Sequence, residues 1–405
     1  MSEPATLGGY RECEAALRNT DLKQALYDAG AVVMEGVLLS LHGTDHAARR
    51  AVEVRVFRRN FISHYEKVVF PRTLEQTLAP FVAAGGGDLI ELGYRATANL
   101  TADFAGIDRP EKSSRESEQL IKLVKKLSEG ATLVHSTRPV AEVEAEVREA
   151  LAEFDLHFFR PSVARRRALL TELAAGPDLE VPRDVLTVIL QAGDELALDE
   201  PQLLREIAFY MQAGAHSTAN SVVHAFDEIL GWAGEDGARW TRLEEPAFVQ
   251  RCVHESLRLH PASPEAWRTA TCPVAVSGAG KLEQGGRVVL DLFSANRDPA
   301  LFGDDADRFD PHRAIPGGLL PSGLAFGIGL HTCLGRELDG GVPSKPGSNP
   351  AGHQYGIVAL LVIRLLALGA RRIPGDLPQP DAKTKRANWG RYPVTFARIE
   401  AGAAQ

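Results

Sequence analysis

From Asp199 to Trp232 the chain reads as one long helix, and most of the remaining pattern is helical as well. Apolar residues recur at helical spacing over 88–105, 114–132 and 140–156. Shorter helical stretches are read at 9–18, 183–192 and 353–369, and a basic one at 44–59. A further helix runs from about Glu244 to Leu259 and stops before Pro261. Beyond it the character changes. Segments 272–278, 286–293 and 393–400 carry the β-branched content and turn boundaries of strands. A meander rich in Asp, Pro and Gly occupies 294–323. No internal repeat or low-complexity linker divides the chain, so residues 1–405 are read as a single domain, mainly α with a small β portion.

The charge balance narrows the partners. A net charge of −8 and a pI near 5.9 argue against nucleic acid, which calls for a basic surface. The four cysteines, Cys13, Cys252, Cys272 and Cys333, are scattered and form no C-x-x-C pair, so neither a disulfide framework nor a zinc ribbon is expected. The N-terminal residues show no secretory pattern. Arg364 interrupts the longest apolar stretch, 356–370, which is too short for a span of roughly 20 residues. A cytoplasmic protein without a membrane segment is expected.

Cys333 stands apart from the other three. It sits in AFGIGLHTCLG, with Gly327, Gly329 and Gly335 around it, His331 two places before and Phe326 seven before. Glycine lets a backbone pass close to a flat or bulky ligand. Backbone N–H groups in such a turn, and a following helix start, favour thiolate over thiol. Phe326 is placed to cover the sulfur and His331 to reach an anionic group. A flat, anionic, metal-bearing ligand suits that description: heme with its propionates.

The decapeptide FGIGLHTCLG, 326–335, resembles the heme-binding signature F-x-x-G-x-H-x-C-x-G of the cytochromes P-450. The resemblance runs from about Gly8 to the C-terminus and is strengthened by three motifs in the family's order, with ANRDP at 295–299 in agreement. In ESLR, Glu255 and Arg258 share a helix face; the resemblance implies that they lock to Arg313 and brace the cysteine turn. In HAARR, His46 and Arg50 share a face; the family uses this pair for the heme propionates, helped by Arg268 and His331. AGAHSTAN, 213–220, matches the family's A-G-x-acid-alcohol segment, in which Gly214 lets a ligand approach. His216 stands where an acid is usual and Ser217 where threonine is usual, with Thr218 next. Proton delivery is thus expected from His216 and Ser217, under looser rotamer control than threonine gives.

The resemblance implies a single-domain cytochrome P-450 fold holding heme b on Cys333. The reaction implied is insertion of one oxygen atom of O2 into an apolar organic substrate. No flavin, dinucleotide or iron–sulfur motif is visible, so electrons are expected from NAD(P)H through a separate ferredoxin and reductase. A peroxide-driven hydroxylase is the alternative suggested by His216; a heme-binding or sensing protein without turnover is a third reading. Leu38, Leu39, Phe158, Phe159, Phe209 and Met211 are candidates for an apolar pocket and equally for ordinary core. Two departures from the family stand out. The N-terminal strands of the main sheet are expected to be shortened or missing. An insertion at about 339–356, with three prolines and five glycines, interrupts the helix after the cysteine turn; it either alters the choice of electron donor or is a tolerated surface loop.

Overall fold

The computed structural model describes residues 4–176, 180–344 and 349–397. Its axis is the long helix, Glu200–Ala233, shifted by one residue toward the C-terminus from the expected span. Asp199 and Gln202 form a reciprocal capping box at its start, which satisfies two end donors at once. At the far end the chain turns at Gly234, φ +49°. The helix Leu89–Ala105 crosses it at close range because small residues meet there. A Cβ on Gly93 would lie 3.4 Å from Ala219, and one on Gly214 would lie 2.8 Å from Thr101 Oγ1. The Thr97 hydroxyl lies 3.0 Å from Ala215 O of the long helix. Around this crossing pack Ser114–Ala131, Val140–Phe154, Pro246–Leu259 and Ile357–Ala367, in one large apolar core.

Two long helical stretches are not evident in the sequence. Val140–Phe154 does not end where its pattern fades; a π turn at Asp155–Phe159 carries it into Arg160–Ala175. Pro161 lies just past the π turn, whose altered bonding accommodates the N–H that the proline lacks. Likewise Arg59–His64 passes through a π turn, Tyr65–Val69, into Phe70–Ala84. Prolines at 71 and 80 hide that helix from a periodicity search. The basic helix is Gly43–Glu53, closing in a 3-10 turn to Phe57.

The β portion is small and peripheral. Its main sheet has four strands in the order Ala5–Leu7, Arg287–Asp291, Glu265–Ala270 and Leu22–Gln24. The first pair is parallel and the others antiparallel. The two strands from the N-terminal segment are thus present, at three residues each. Glu265–Ala270, unread in the sequence, alternates half-buried and buried residues as a strand should. A second apolar cluster, built with the helix Tyr10–Arg18, lies under this sheet. Gly86–Asp88, Pro393–Thr395 and Arg371–Arg372 make a three-stranded sheet, and Gln379–Pro380 pairs with Trp389–Arg391 as a hairpin. The expected strand 393–400 is thus realised at 393–395; residues 398–400 lie outside the described ones.

The insertion has a pinched neck. After Cys333 the helix lasts only Arg336–Asp339. Gly341 and Gly356 then meet backbone to backbone, with φ +72° and +86°. A Cβ on Gly356 would come within 2.3 Å of Gly341 N. Gln250 holds the loop from the helix side: its Nε2 lies 3.0–3.4 Å from the carbonyls of Gly340, Val342, Gln354 and Tyr355. Glu66 accepts the backbone N–H of Tyr355 at 2.7 Å and of Gly356 at 3.1 Å. Gly356→Ala should therefore cost on the order of 1–3 kcal/mol, the range for a non-glycine residue forced to positive φ. Gly352→Ala, where an added Cβ meets nothing within 4 Å, should change stability by less than about 0.5 kcal/mol. Denaturant midpoints of the two variants check the difference.

Candidate functional site

A cavity of about 350 Å³ lies between the long helix, the basic helix, the strand Glu265–Ala270 and the cysteine turn. Cys333 opens into it. The turn is closed by Cys333 N–H donating to Phe326 O at 2.9 Å, and Gly327 makes the bend at φ +60°. The Gly335 N–H points at the sulfur, as the glycine pattern led one to expect. Phe326 and Gly335 both face the cavity; Gly329 does not, and instead lets the turn approach the N-terminal helix, where a Cβ would lie 2.6 Å from Leu17 O. Burial pushes the Cys333 thiol up to about 11, aided by Asp339 and opposed by Gly335 N–H, Arg50 and Arg336. A sulfur held in this way ionises when a metal cation meets it.

The rim of the cavity is cationic. The His46 and His331 rings meet edge to face with centroids 4.6 Å apart. Both ring nitrogens of His46 and Nε2 of His331 are buried without a partner. Desolvation holds the two imidazoles neutral, down to about 4 and about 3, with neighbouring cations pushing the same way. Arg50 Nη2 donates to Thr332 O at 2.8 Å and so ties the basic helix to the cysteine turn. Arg268 reaches in from its strand, anchored by Nη1 to Gln24 Oε1 at 3.0 Å, with burial lowering it to about 10. Unpaired buried imidazoles beside two guanidiniums are a site built for an anion. Together with a metal-seeking sulfur facing the same space, they fit a heme and its propionates.

The long helix supplies another wall. Gly214, His216, Ser217 and Thr218 all line the cavity. His216 Nδ1 is hydrogen-bonded to the buried Tyr94 hydroxyl, and desolvation pushes the imidazole down to about 3. The Ser217 hydroxyl donates to Ala213 O at 2.6 Å, inside its own helix. Thr218 donates to Asp339 at 2.5 Å. Asp339 is a half-buried residue in the cavity wall, its carboxyl raised to about 6 by desolvation; nothing in the sequence singled it out. Arg386 also escaped the sequence reading, since KTKRANW resembles an exposed basic loop. Of the apolar candidates, Leu38, Leu39 and Phe209 face the cavity, whereas Phe158, Phe159 and Met211 belong to the helical core.

Support comes from beneath. Arg258, fully buried, grips Glu255 through Nε at 2.8 Å and Nη2 at 2.7 Å. Arg313 donates to the same carboxylate at 2.9 Å. The remaining donors go to the meander: Arg258 Nη1 to Asn296 O and Ala306 O, and Arg313 to Phe302 O, Asp305 O and Arg308 O and to the Asp305 carboxylate at 2.7 Å. Glu255→Leu would leave the buried Arg258 guanidinium without an anionic partner, while Arg313 keeps Asp305, and should cost about 3–5 kcal/mol. Urea unfolding of the variant gives the figure, and gel filtration shows whether heme stays with the protein.

Comparison with known proteins agrees with this site. The family model for cytochrome P450 matches residues 206–338. Residues of this chain are 38% identical over 144 positions to the cytochrome P450 family protein EryCII of Saccharopolyspora erythraea, covering 33% of this chain and 39% of that one. Pulcherriminic acid synthase of Bacillus subtilis is 23% identical over 341 residues, covering 81% of this chain and 77% of that protein. Among solved structures, CalO2 superposes with a TM-score of 0.74 at 21% identity, over 97% of this chain and 90% of the other. P450BioI, solved in complex with an acyl carrier protein ligated to hexadec-9Z-enoic acid, has a TM-score of 0.71 at 19% identity, over 97% and 92%. The chain spans about two fifths of EryCII and about three quarters of the synthase. In its motifs, its fold and these relatives the chain is similar to the cytochromes P450, heme–thiolate proteins with a cysteine as axial ligand.

Proposed function

We propose that the protein is a heme–thiolate monooxygenase with Cys333 as the iron ligand. The observation that carries this reading is one cavity shared by the Cys333 sulfur, the unpaired His46 and His331 nitrogens and the hydroxyl-bearing turn of the long helix. Heme, when bound, supplies the activation of O2 and the transfer of one oxygen atom to an organic substrate. The chain does the rest. His46, Arg50, Arg268 and His331 hold the propionates, and the Gly335 N–H stabilises the thiolate. Leu38, Leu39 and Phe209 exclude water and receive the apolar body of a small-molecule substrate.

Proton delivery falls to Ser217 and its neighbours. The Ser217 hydroxyl, parked on Ala213 O, is free to rotate toward a ligand in the cavity. His216, neutral and bonded to Tyr94, serves as a hydrogen-bonding relay rather than as a cationic acid. Electrons come from NAD(P)H through a ferredoxin-type donor docking on the cysteine-turn side, where the 339–356 insertion lies. The absence of a carboxyl at position 216 favours, as a second reading, oxidation driven by hydrogen peroxide alone.

The first test is the absorption spectrum of dithionite-reduced protein under carbon monoxide. The strongly red-shifted Soret band of thiolate-ligated heme is expected, and Cys333→Ser should abolish it; its survival in that variant would exclude Cys333. Ser217→Ala should leave heme content and substrate binding within about twofold while diverting electrons to peroxide. A roughly tenfold or larger loss of product per NADH is the expected scale for a group in proton transfer. Turnover with peroxide and no donor, at a rate equal to that with ferredoxin, would shift the assignment to the second reading.

A further inference from the structure

Arg386 sits at the tip of the hairpin between Gln379–Pro380 and Trp389–Arg391, and its side chain lines the cavity. Its Nε and Nη2 are out of reach of solvent and have no hydrogen-bond partner. It is also not loosely placed. The tip is pinned on one side to the segment after Ala131: Lys385 N–H donates to His135 O at 2.7 Å, Thr137 N–H to Lys383 O at 3.1 Å, and Ser136 bridges Thr384. On the other side Ala387 bonds the His224 imidazole through its backbone. The Arg386 N–H itself donates to Thr384 Oγ1 at 3.2 Å.

The groups that face this guanidinium do not neutralise it. Tyr27, Tyr94 and Glu265 lie in its electrostatic range, as do the neutral imidazoles of His216 and His135. Tyr94 is engaged with His216. Glu265, the one acid among them, acts on Arg386 from a distance: its carboxylate lies 3.5 Å from the neutral His135 Nδ1 and makes no ion pair with Arg386. Arg268, by contrast, has its own partners in Gln24 and Trp267. A guanidinium is always charged and offers a planar fork to a carboxylate or phosphate. Left buried and unpaired, it is a cost that folds meet only where a ligand completes the site.

We propose that Arg386 is a substrate-specificity residue: it binds an anionic group, in the first instance a carboxylate, on an otherwise apolar substrate. This rests on the monooxygenase reading and narrows it. With the anion clamped at the hairpin tip and the chain lying along Leu38, Leu39 and Phe209, the fork fixes which carbon reaches the reactive centre. The substrate class is therefore an organic acid with an apolar body, and alcohols or hydrocarbons of the same shape are weaker ligands.

The test uses heme-loaded protein and the spin-state shift of its Soret band as the binding readout. Aliphatic and aryl carboxylates are titrated in parallel with their corresponding alcohols at pH 7.5, against wild type, Arg386→Leu and Arg386→Lys. Wild type should bind at least one carboxylate about tenfold or more tighter than its alcohol, the scale of a charge-assisted pair. Arg386→Leu should lose that preference and leave alcohol binding within about twofold; Arg386→Lys should retain part of it. Overturning results are carboxylates bound no tighter than alcohols across the panel, or a preference that survives in Arg386→Leu. Loss of heme from both variants would make Arg386 a propionate holder and overturn the proposal too. Failure of the parent reading is separate, since it shows as a missing red-shifted carbon monoxide band in wild type.

Discussion

Glu255 carries two guanidiniums on one carboxylate, and the irregular meander that leads into the cysteine turn is held by them. Arg258 and Arg313 are long, charged and buried; Arg258 spends its remaining donors on carbonyls of the meander, and Arg313 on meander carbonyls and the Asp305 carboxylate. A stretch of chain with no regular ladder of its own thereby has its backbone groups satisfied by two side chains. The meander runs directly into Phe326 and Cys333, so the network anchors the segment that leads to the sulfur. A buried network of this kind is weak evidence for stability as such. Its effect here is to hold one conformation of an otherwise irregular segment.

The cavity divides its labour by chemistry. Its rim gathers neutral imidazoles and guanidiniums on the basic helix, the strand bearing Arg268 and the cysteine turn. Its far wall is the long helix, where Ser217 folds back on Ala213 and Thr218 is drawn to Asp339. Gly214, read from the sequence as room for a ligand, also makes room for Thr101 of the crossing helix. One small residue thus meets two neighbours, and its replacement would disturb packing as well as the cavity.

Much of this was legible in the sequence, for a physical reason in each case. The long helix, the helix bearing Glu255 and Arg258, and the cysteine turn are local: periodicity and glycine spacing report on them directly. The Glu255–Arg258–Arg313 contacts and the cavity positions of His46, Arg50, Arg268 and His331 followed from motif resemblance and agree with the geometry. What stayed hidden is tertiary. The helices through 59–84 and 140–175 are interrupted by prolines whose cost is absorbed by π turns, and no periodicity search anticipates a π turn. Asp339 and Arg386 become members of the cavity through burial by distant segments, while each reads locally as an exposed charge. The placement of Gly329 against Leu17 rather than in the cavity is a contact across more than 300 positions, invisible to spacing.

The pinched neck at Gly341 and Gly356 has a consequence for how this chain can change. With the two glycines in backbone contact, and Gln250 and Glu66 holding both sides of the junction, the insertion leaves and re-enters the domain at nearly one point. Loop-closure entropy grows only slowly with length, so the excursion can lengthen, shorten or exchange its sequence while the cysteine turn feels the same two anchors. The segment is a cassette on the face nearest the sulfur, free to diversify while the heme pocket stays fixed.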